Sequence, residues 1–251
     1  MRWERLVLLA AMLLGLAAAG CTTGSTPRSS GETLSGSGVM TSDTRSLAAF
    51  SAVELRALGN VVVERGATAS IRIDGEDNLV PRITTGVQHG RLIIDWTSGI
   101  GSVNATRPIT YHLTAPVDLT GLNVQGAGTI QLGAMQGDTL RLGVDGLGKI
   151  SVDEVAVATL IANISGAGQI AMSGQAGRQQ LTIDGVGIYQ APDLASRQAD
   201  VTISGAGHAV VQVSDVLNAK INGIGSVRYA GQPRVNRSGD GLGQVTPMSS
   251  Q

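Results

Sequence analysis

Residues 143–150 read GVDGLGKI. Gly143, Gly148 and Lys149 have the G-x-x-x-x-G-K spacing of a phosphate-binding loop, but Ile150 stands where such a loop needs Ser or Thr for Mg²⁺. Inside the stretch lies a second pattern, Gly146-Leu147-Gly148, and this one recurs. G-x-G triplets begin at Gly126, Gly146, Gly166, Gly185, Gly205, Gly223 and Gly241, with spacings of 20, 20, 19, 20, 18 and 18 residues. A fixed period near 20 marks a stacked repeat architecture. The positions equivalent to Lys149 are Thr129, Gln169, Ile188, His208, Ser226 and Gln244, so the lysine belongs to one copy only. The repeat explains the glycines without a phosphate. GAGQIA (166–171) fits the looser dinucleotide fingerprint in the same accidental way, because no helix pattern follows it.

Each copy has the same internal pattern. A polar turn residue precedes the first glycine: Gln125, Asp145, Ser165, Asp184, Ser204, Asn222 or Asp240. Before it, in the first six copies, comes Val124, Val144, Ile164, Ile183, Ile203 or Ile221, while the seventh has Gly239. The alternation runs backward through Leu140 and Leu142, or Leu160 and Ala162, and resumes past the turn at Ile130, Ile150, Ile170 and Val227. Period 2 within period 20 means strands, and a coil with one apolar face is stable only when stacked on its neighbours. The expected fold is all-β: a parallel β-solenoid with coils of about 20 residues over 117–245, rising by ~4.8 Å per coil. The glycines are expected to serve positive φ or close backbone approach at the bends.

Upstream, residues 47–116 alternate apolar and polar residues in short runs such as NVVVERG and SIRIDG, separated by Gly59-Asn60, Gly66, Asp74-Gly75 and His89-Gly90. Residues 22–46 are mostly Ser, Thr and Gly, and 21–46 reads as a flexible tether. Residues 1–20 read as a signal peptide: MRWER, then the apolar run LVLLAAMLLGLAAAG. That run is too short for a confident membrane span. Ala18-Ala19-Gly20-Cys21 resembles the bacterial lipoprotein signal, departing from it at Ala18, where Leu is commoner. Cys21 is the only cysteine, so lipid attachment there would leave no thiol for a disulfide, metal or nucleophile. Several acyl chains would hold the mature protein to a membrane. Thr22, rather than Asp, after the cysteine favours outer-membrane or surface placement.

The formal charge is −1, and becomes −2 without residues 1–20, with no basic run suited to nucleic acid. With 35 glycines and 2% aromatics, the chain suits thin aliphatic layers rather than a core of Phe and Trp.

The blocks FSAVELRALGNVVVERG (50–66), SIRIDGEDNLVPRI (70–83) and GRLIID (90–95), then the seven G-x-G turns and VRYAGQPRV (227–235), occur in the order of a known family. Over about residues 47–245 the chain resembles the family called putative auto-transporter adhesin, head GIN domain. That resemblance, with the general preference of parallel crossovers, implies a right-handed β-helix at the cell envelope or surface. It brings no catalytic residues.

Candidate chemistry is sparse. Asp145 and Asp184 occupy equivalent turns two coils apart, roughly 9–10 Å between Cα atoms, near the ~6.5–9.5 Å carboxyl separation of inverting glycosidases. Asp before Gly is also a favoured turn residue, and Ser165 sits between the two. His89, His112 and His208 have no ligand spacing, and no metal or cofactor site is expected. Arg228, Arg234 and Arg237 surround Tyr229 as a modest basic cluster, and Trp96 is placed to pack the N-terminal end. The reading is a non-catalytic, lipid-anchored envelope protein presenting a solenoid surface for binding or adhesion, with a glycan or envelope protein as partner. The alternatives are a β-helical enzyme acting on polysaccharide, and a structural protein whose open strand ends pair into homo-oligomers.

Overall fold

The structure, a computed structural model, describes residues 31–248. The chain enters through β1 (Glu32–Ser35) and β2 (Met40–Ser46). There follow β3 (Ala52–Leu55), β4 (Leu58–Arg65), β5 (Ser70–Glu76), a single 3₁₀ turn at Val80–Arg82, β6 (Ile83–Gln88), β7 (Arg91–Trp96), β8 (Ile100–Asn104) and β9 (Thr110–Ala115). β3 and β4 make the first regular coil, with β7 and β9 stacked parallel beneath them. Antiparallel strands then close this end: β6 on β7, β5 on β9, and β2 on β5. The β6–β7 turn is His89-Gly90, with φ of 50° and 74°. Two positive φ angles match the twist of a two-residue hairpin.

Residues 32–35 and 40–46, which composition assigns to a tether, form strands. Residues 40–46 pair along their whole length with Ser70–Glu76. Arg45 donates to the carbonyls of Ile83 and Val80. Glu76 is fully buried and accepts from the backbone N–H of Gly38 at 2.6 Å and from Thr106 Oγ1 at 2.6 Å. Backbone pairing and polar contacts hold this segment, so it has no apolar stripe to betray it.

The repeat begins at β10 (Gly121–Val124) and continues through β11 (Ala127–Val144), β12 (Leu147–Ile164), β13 (Ala167–Ile183), β14 (Val186–Ile203) and β15 (Ala206–Ile221). It ends with β16 (Ile224–Ala230), β17 (Arg234–Ser238) and β18 (Leu242–Pro247). Neighbouring coils pair in parallel and in register, so like stands above like. Ile130, Ile150, Ile170, Tyr189, Ala209 and Val227 form one inward column. Val144, Ile164, Ile183, Ile203 and Ile221 form another. All are buried, each aliphatic contributing about 1.5–3 kcal/mol. Gln179 takes an inward position and is satisfied there. It accepts from Tyr189 Oη at 2.6 Å and donates to Ser196 Oγ at 2.9 Å.

A full-length coil bends at the G-x-G triplet and twice more where inward parity switches, as after Val152 and again after Val157 in β12. At the G-x-G bend the register is unbroken, whereas shifts fall at the next bend, between Val152 and Val155, Ala171 and Gly174, and Ala191 and Ala195. The unequal coil lengths are absorbed there as bulges.

The first glycine of each triplet is fixed by space, not by positive φ. A Cβ on Gly166 would lie 2.1 Å from the Gly146 carbonyl oxygen and 2.5 Å from that of Asp145. The same collision recurs at Gly146, Gly185, Gly205 and Gly223. Gly166→Ala should therefore destabilise the fold by about 3 kcal/mol, as overpacking against backbone does. Ala167→Leu, one residue on and facing outward, should leave the thermal midpoint unchanged. Calorimetry of the two variants checks this.

Candidate functional site

Most residues that the sequence nominates for chemistry are engaged in the stack. The N–H of Gly146 donates to the Val124 carbonyl and that of Leu147 to the Gly126 carbonyl, at 3.1 and 2.9 Å. Amides that would cradle a phosphate next to Lys149 thus already bind the preceding coil. The N–H groups of Gly166 and Ala167 are bound likewise. Lys149 stands in an outward column with Asn60, Thr129, Gln169, Ile188, His208, Ser226 and Gln244, as the repeat alignment requires.

Asp145 accepts from Ser165 Oγ at 2.5 Å and from Asn123 Nδ2 at 3.0 Å, so both its oxygens take donors from adjacent coils. Asp145 and Asp184 are exposed at an open corner. His89 forms the hairpin turn, His112 Nε2 lies 3.0 Å from Asp74, and His208 Nδ1 lies 2.8 Å from Ser226 Oγ. They sit on separate elements, and no metal-ligand group occurs among the described residues. The basic cluster is divided. Arg237 pairs in register with the last residue of the column Leu142, Ala162, Leu181, Val201 and Ala219, is itself exposed, and donates to the Gly243 carbonyl at 3.4 Å. Arg228 and Arg234 are exposed on different strands. Trp96 packs against the core where β6 meets β7. Cys21 lies outside the described residues.

What the fold assembles instead is surface. At the bulged bend, a groove of about 520 Å³ has apolar walls at Val63, Leu119, Leu132 and Met135, with Glu64, Asp118 and Glu154 also lining it. It meets a more open trough of about 740 Å³ at Ala156. Ala156, Ala158, Gly177 and Ala195 line that trough together with the longer Gln175, Arg197 and Gln212, and it ends at Gly231. Together they run along the stack from β4 to the loop after β16. No sequence signal marked this feature, because it depends on small residues at bends of unequal length.

A shallower depression of about 430 Å³ lies on the flat side before the G-x-G bend. Gly121 and Gly143 form its floor, and Arg91, Arg141, Asn163 and Asp145 supply donors and acceptors around it. Asn123 Oδ1 is buried beside Gly143 with no partner. Glu54, buried at the same side, binds Arg56 at 2.6 Å and Arg91 at 2.7 Å.

The pattern of the putative auto-transporter adhesin, head GIN domain family matches residues 49–233. The chain belongs to this family. Solved structures share the fold at low identity. A crystal structure of a putative adhesin from Bacteroides fragilis matches with a TM-score of 0.80 at 21% identity, covering 86% of this chain and 100% of that one. A putative lipid binding protein from Parabacteroides distasonis matches at TM-score 0.69 and 17% identity, covering 87% and 100%. A putative adhesin from Parabacteroides merdae matches at 0.64 and 21%, again covering 87% and 100%. No curated protein matches the chain. GIN-domain membership and the solenoid fit a non-catalytic, adhesin-like protein of the cell envelope or surface.

Burial pushes the Glu54 carboxyl up, but the guanidiniums of Arg91 and Arg56 outweigh it and hold it below its ordinary 4.5. The Thr106 hydroxyl and three backbone N–H groups likewise hold Glu76 below 4.5 against the push of burial. A depressed folded-state value means stability present above about 4.5 and lost as pH falls through the folded value. The thermal midpoint should therefore drop between pH 7 and pH 3, and Glu54→Gln should shrink that drop. Melting curves across this range test it.

Proposed function

We propose that the protein is a cell-envelope lipoprotein, anchored through Cys21, that binds an extended partner along the side of its solenoid without catalysing a reaction. The observation that carries this reading is the continuous trough at the bulged bend, lined by Ala156, Ala158, Gly177 and Ala195. Small side chains let a chain-like ligand approach the backbone along several coils, and repetition along the axis multiplies weak contacts. The partner classes it suits are an envelope or host glycan and an extended protein segment. The polar depression beside Gly143 adds donors and acceptors suited to hydroxyl-rich ligands. Reactive side chains are held in the coil-to-coil hydrogen bonds of the stack, which favours binding over hydrolysis.

Binding of residues 31–251 to arrays of cell-wall and host glycans and envelope proteins tests the reading. The fragment must begin at 31 because β1 and β2 belong to the fold. A hit that is lost in Ala156→Trp supports the trough, and no binding above background sinks the reading. A hit on a glycan calls for testing cleavage of that sugar as well. Anchoring is checked separately. Cys21→Ser should abolish incorporation of labelled fatty acid and release the protein from the membrane fraction.

A further inference from the structure

The middle residue of every G-x-G triplet points outward, and these residues stack into a ridge that Leu58 of Ala57-Leu58-Gly59 extends by one coil. In order along the solenoid it reads Leu58, Ala127, Leu147, Ala167, Val186, Ala206, Ile224, Leu242. Every position is apolar. Leu147, Val186, Ile224 and Leu242 are 64%, 65%, 66% and 79% exposed. A contiguous row of exposed large aliphatics is unusual on a surface that stays alone in water. The row also alternates. Large residues come at every second coil with alanine between, until Ile224 and Leu242 adjoin at the end. Knobs about 9.6 Å apart are thus separated by holes at half that spacing.

Such a row complements itself in one orientation. If a second copy lies antiparallel with full overlap, Ala127 faces Ile224, Leu147 faces Ala206, and Ala167 faces Val186. Only the end pair, Leu58 with Leu242, sets large against large. A parallel two-fold arrangement would set knob on knob and hole on hole. The flanking column of exposed turn residues agrees. An antiparallel two-fold places this column against itself, so that Arg56 faces Asp240, Gln125 faces Asn222, Asp145 faces Ser204, and Ser165 faces Asp184. No aspartate meets an aspartate, and the one cation of the column meets an anion.

We propose that the G-x-G ridge is a self-association surface that pairs two copies side by side and antiparallel about a two-fold axis between the Ala167 and Val186 coils. Such an interface is isologous and closes on itself, giving dimers rather than fibres. Eight coils of ridge with one flanking column on each side cover on the order of 400 Å² per copy, about half of what a standard stable interface uses. The dimer is accordingly weak, with a Kd on the order of 100 µM. Anchoring copies on one membrane would raise their effective concentration and favour it. None of the ridge residues lines the trough, so the pairing leaves the trough free.

Residues 31–251 form a compact unit with its own core and contain no cysteine, which allows a clean test. Sedimentation equilibrium of this body up to several hundred micromolar should show a monomer–dimer equilibrium. Leu147→Asp should weaken association at least tenfold with an unchanged thermal midpoint, and Ala167→Leu, which fills a hole, should do the same. Orientation is read by oxidative crosslinking. Ala127→Cys mixed with Ile224→Cys should give a covalent heterodimer, while Ala127→Cys alone should not crosslink. Monomer at every concentration overturns the proposal. So does a dimer indifferent to Leu147→Asp, which would place the contact elsewhere. Efficient crosslinking of Ala127→Cys with itself would mean parallel pairing and also overturns it.

Discussion

The backbone hydrogen bonds that join each G-x-G bend to the bend before it are the constraint on which the structure depends. The N–H of Ser165 and of Gly166 both reach the Val144 carbonyl, and that of Ala167 reaches the Gly146 carbonyl. The contact brings successive chains so close that the first glycine has no room for a Cβ. Once the bends are locked, the residues on either side fall into register, and the inward columns of Ile, Val and Leu follow. The remaining bends are free to vary, and they take up the differences in coil length as bulges. One rigid corner, with adjustable bends elsewhere, explains how coils of 18 to 20 residues share a continuous core.

The same rigidity sorts the surface. Hydroxyl, carboxylate and amide groups near the locked bend hydrogen-bond up and down the stack, as Asn123, Asp145 and Ser165 do. Away from that bend, several alanines and glycines face outward between longer polar side chains, and a trough opens there. A molecule built this way distributes its chemistry along an axis instead of concentrating it in a cleft. That distribution suits attachment through many modest contacts, which is the behaviour expected of an adhesin-like protein.

The two ends are treated differently. At the N-terminal end, antiparallel strands and the buried Glu76 close the stack, and the edge strand β2 is short and polar. At the C-terminal end, among the described residues, β17 and β18 pair on one side only. Arg234, Arg237 and Pro247 lie on these strands, and charge and proline are what discourage edge-to-edge pairing. Arg237 adds a hydrogen bond to the Gly243 carbonyl. The ends are therefore poor candidates for pairing, whereas the lateral ridge is apolar and unprotected.

The sequence alone determined the coil period, the inward columns and the place of the locked bend, because stacked strands repeat residue by residue and glycine is demanded wherever backbones nearly touch. It also held the ridge: Val144 and Ile150 point inward, so parity alone sends Leu147 outward. Tertiary structure decided the rest. Residues 32–35 and 40–46 look like a tether and form strands, since partners 24 or more residues away in β5 and β8 satisfy their backbone. Arg237 looks like part of a basic patch and pairs in register with Ala219 of the preceding coil. The trough exists only where unequal coils bend over small side chains. These features arise from contacts between distant segments, and local alternation carries no record of them.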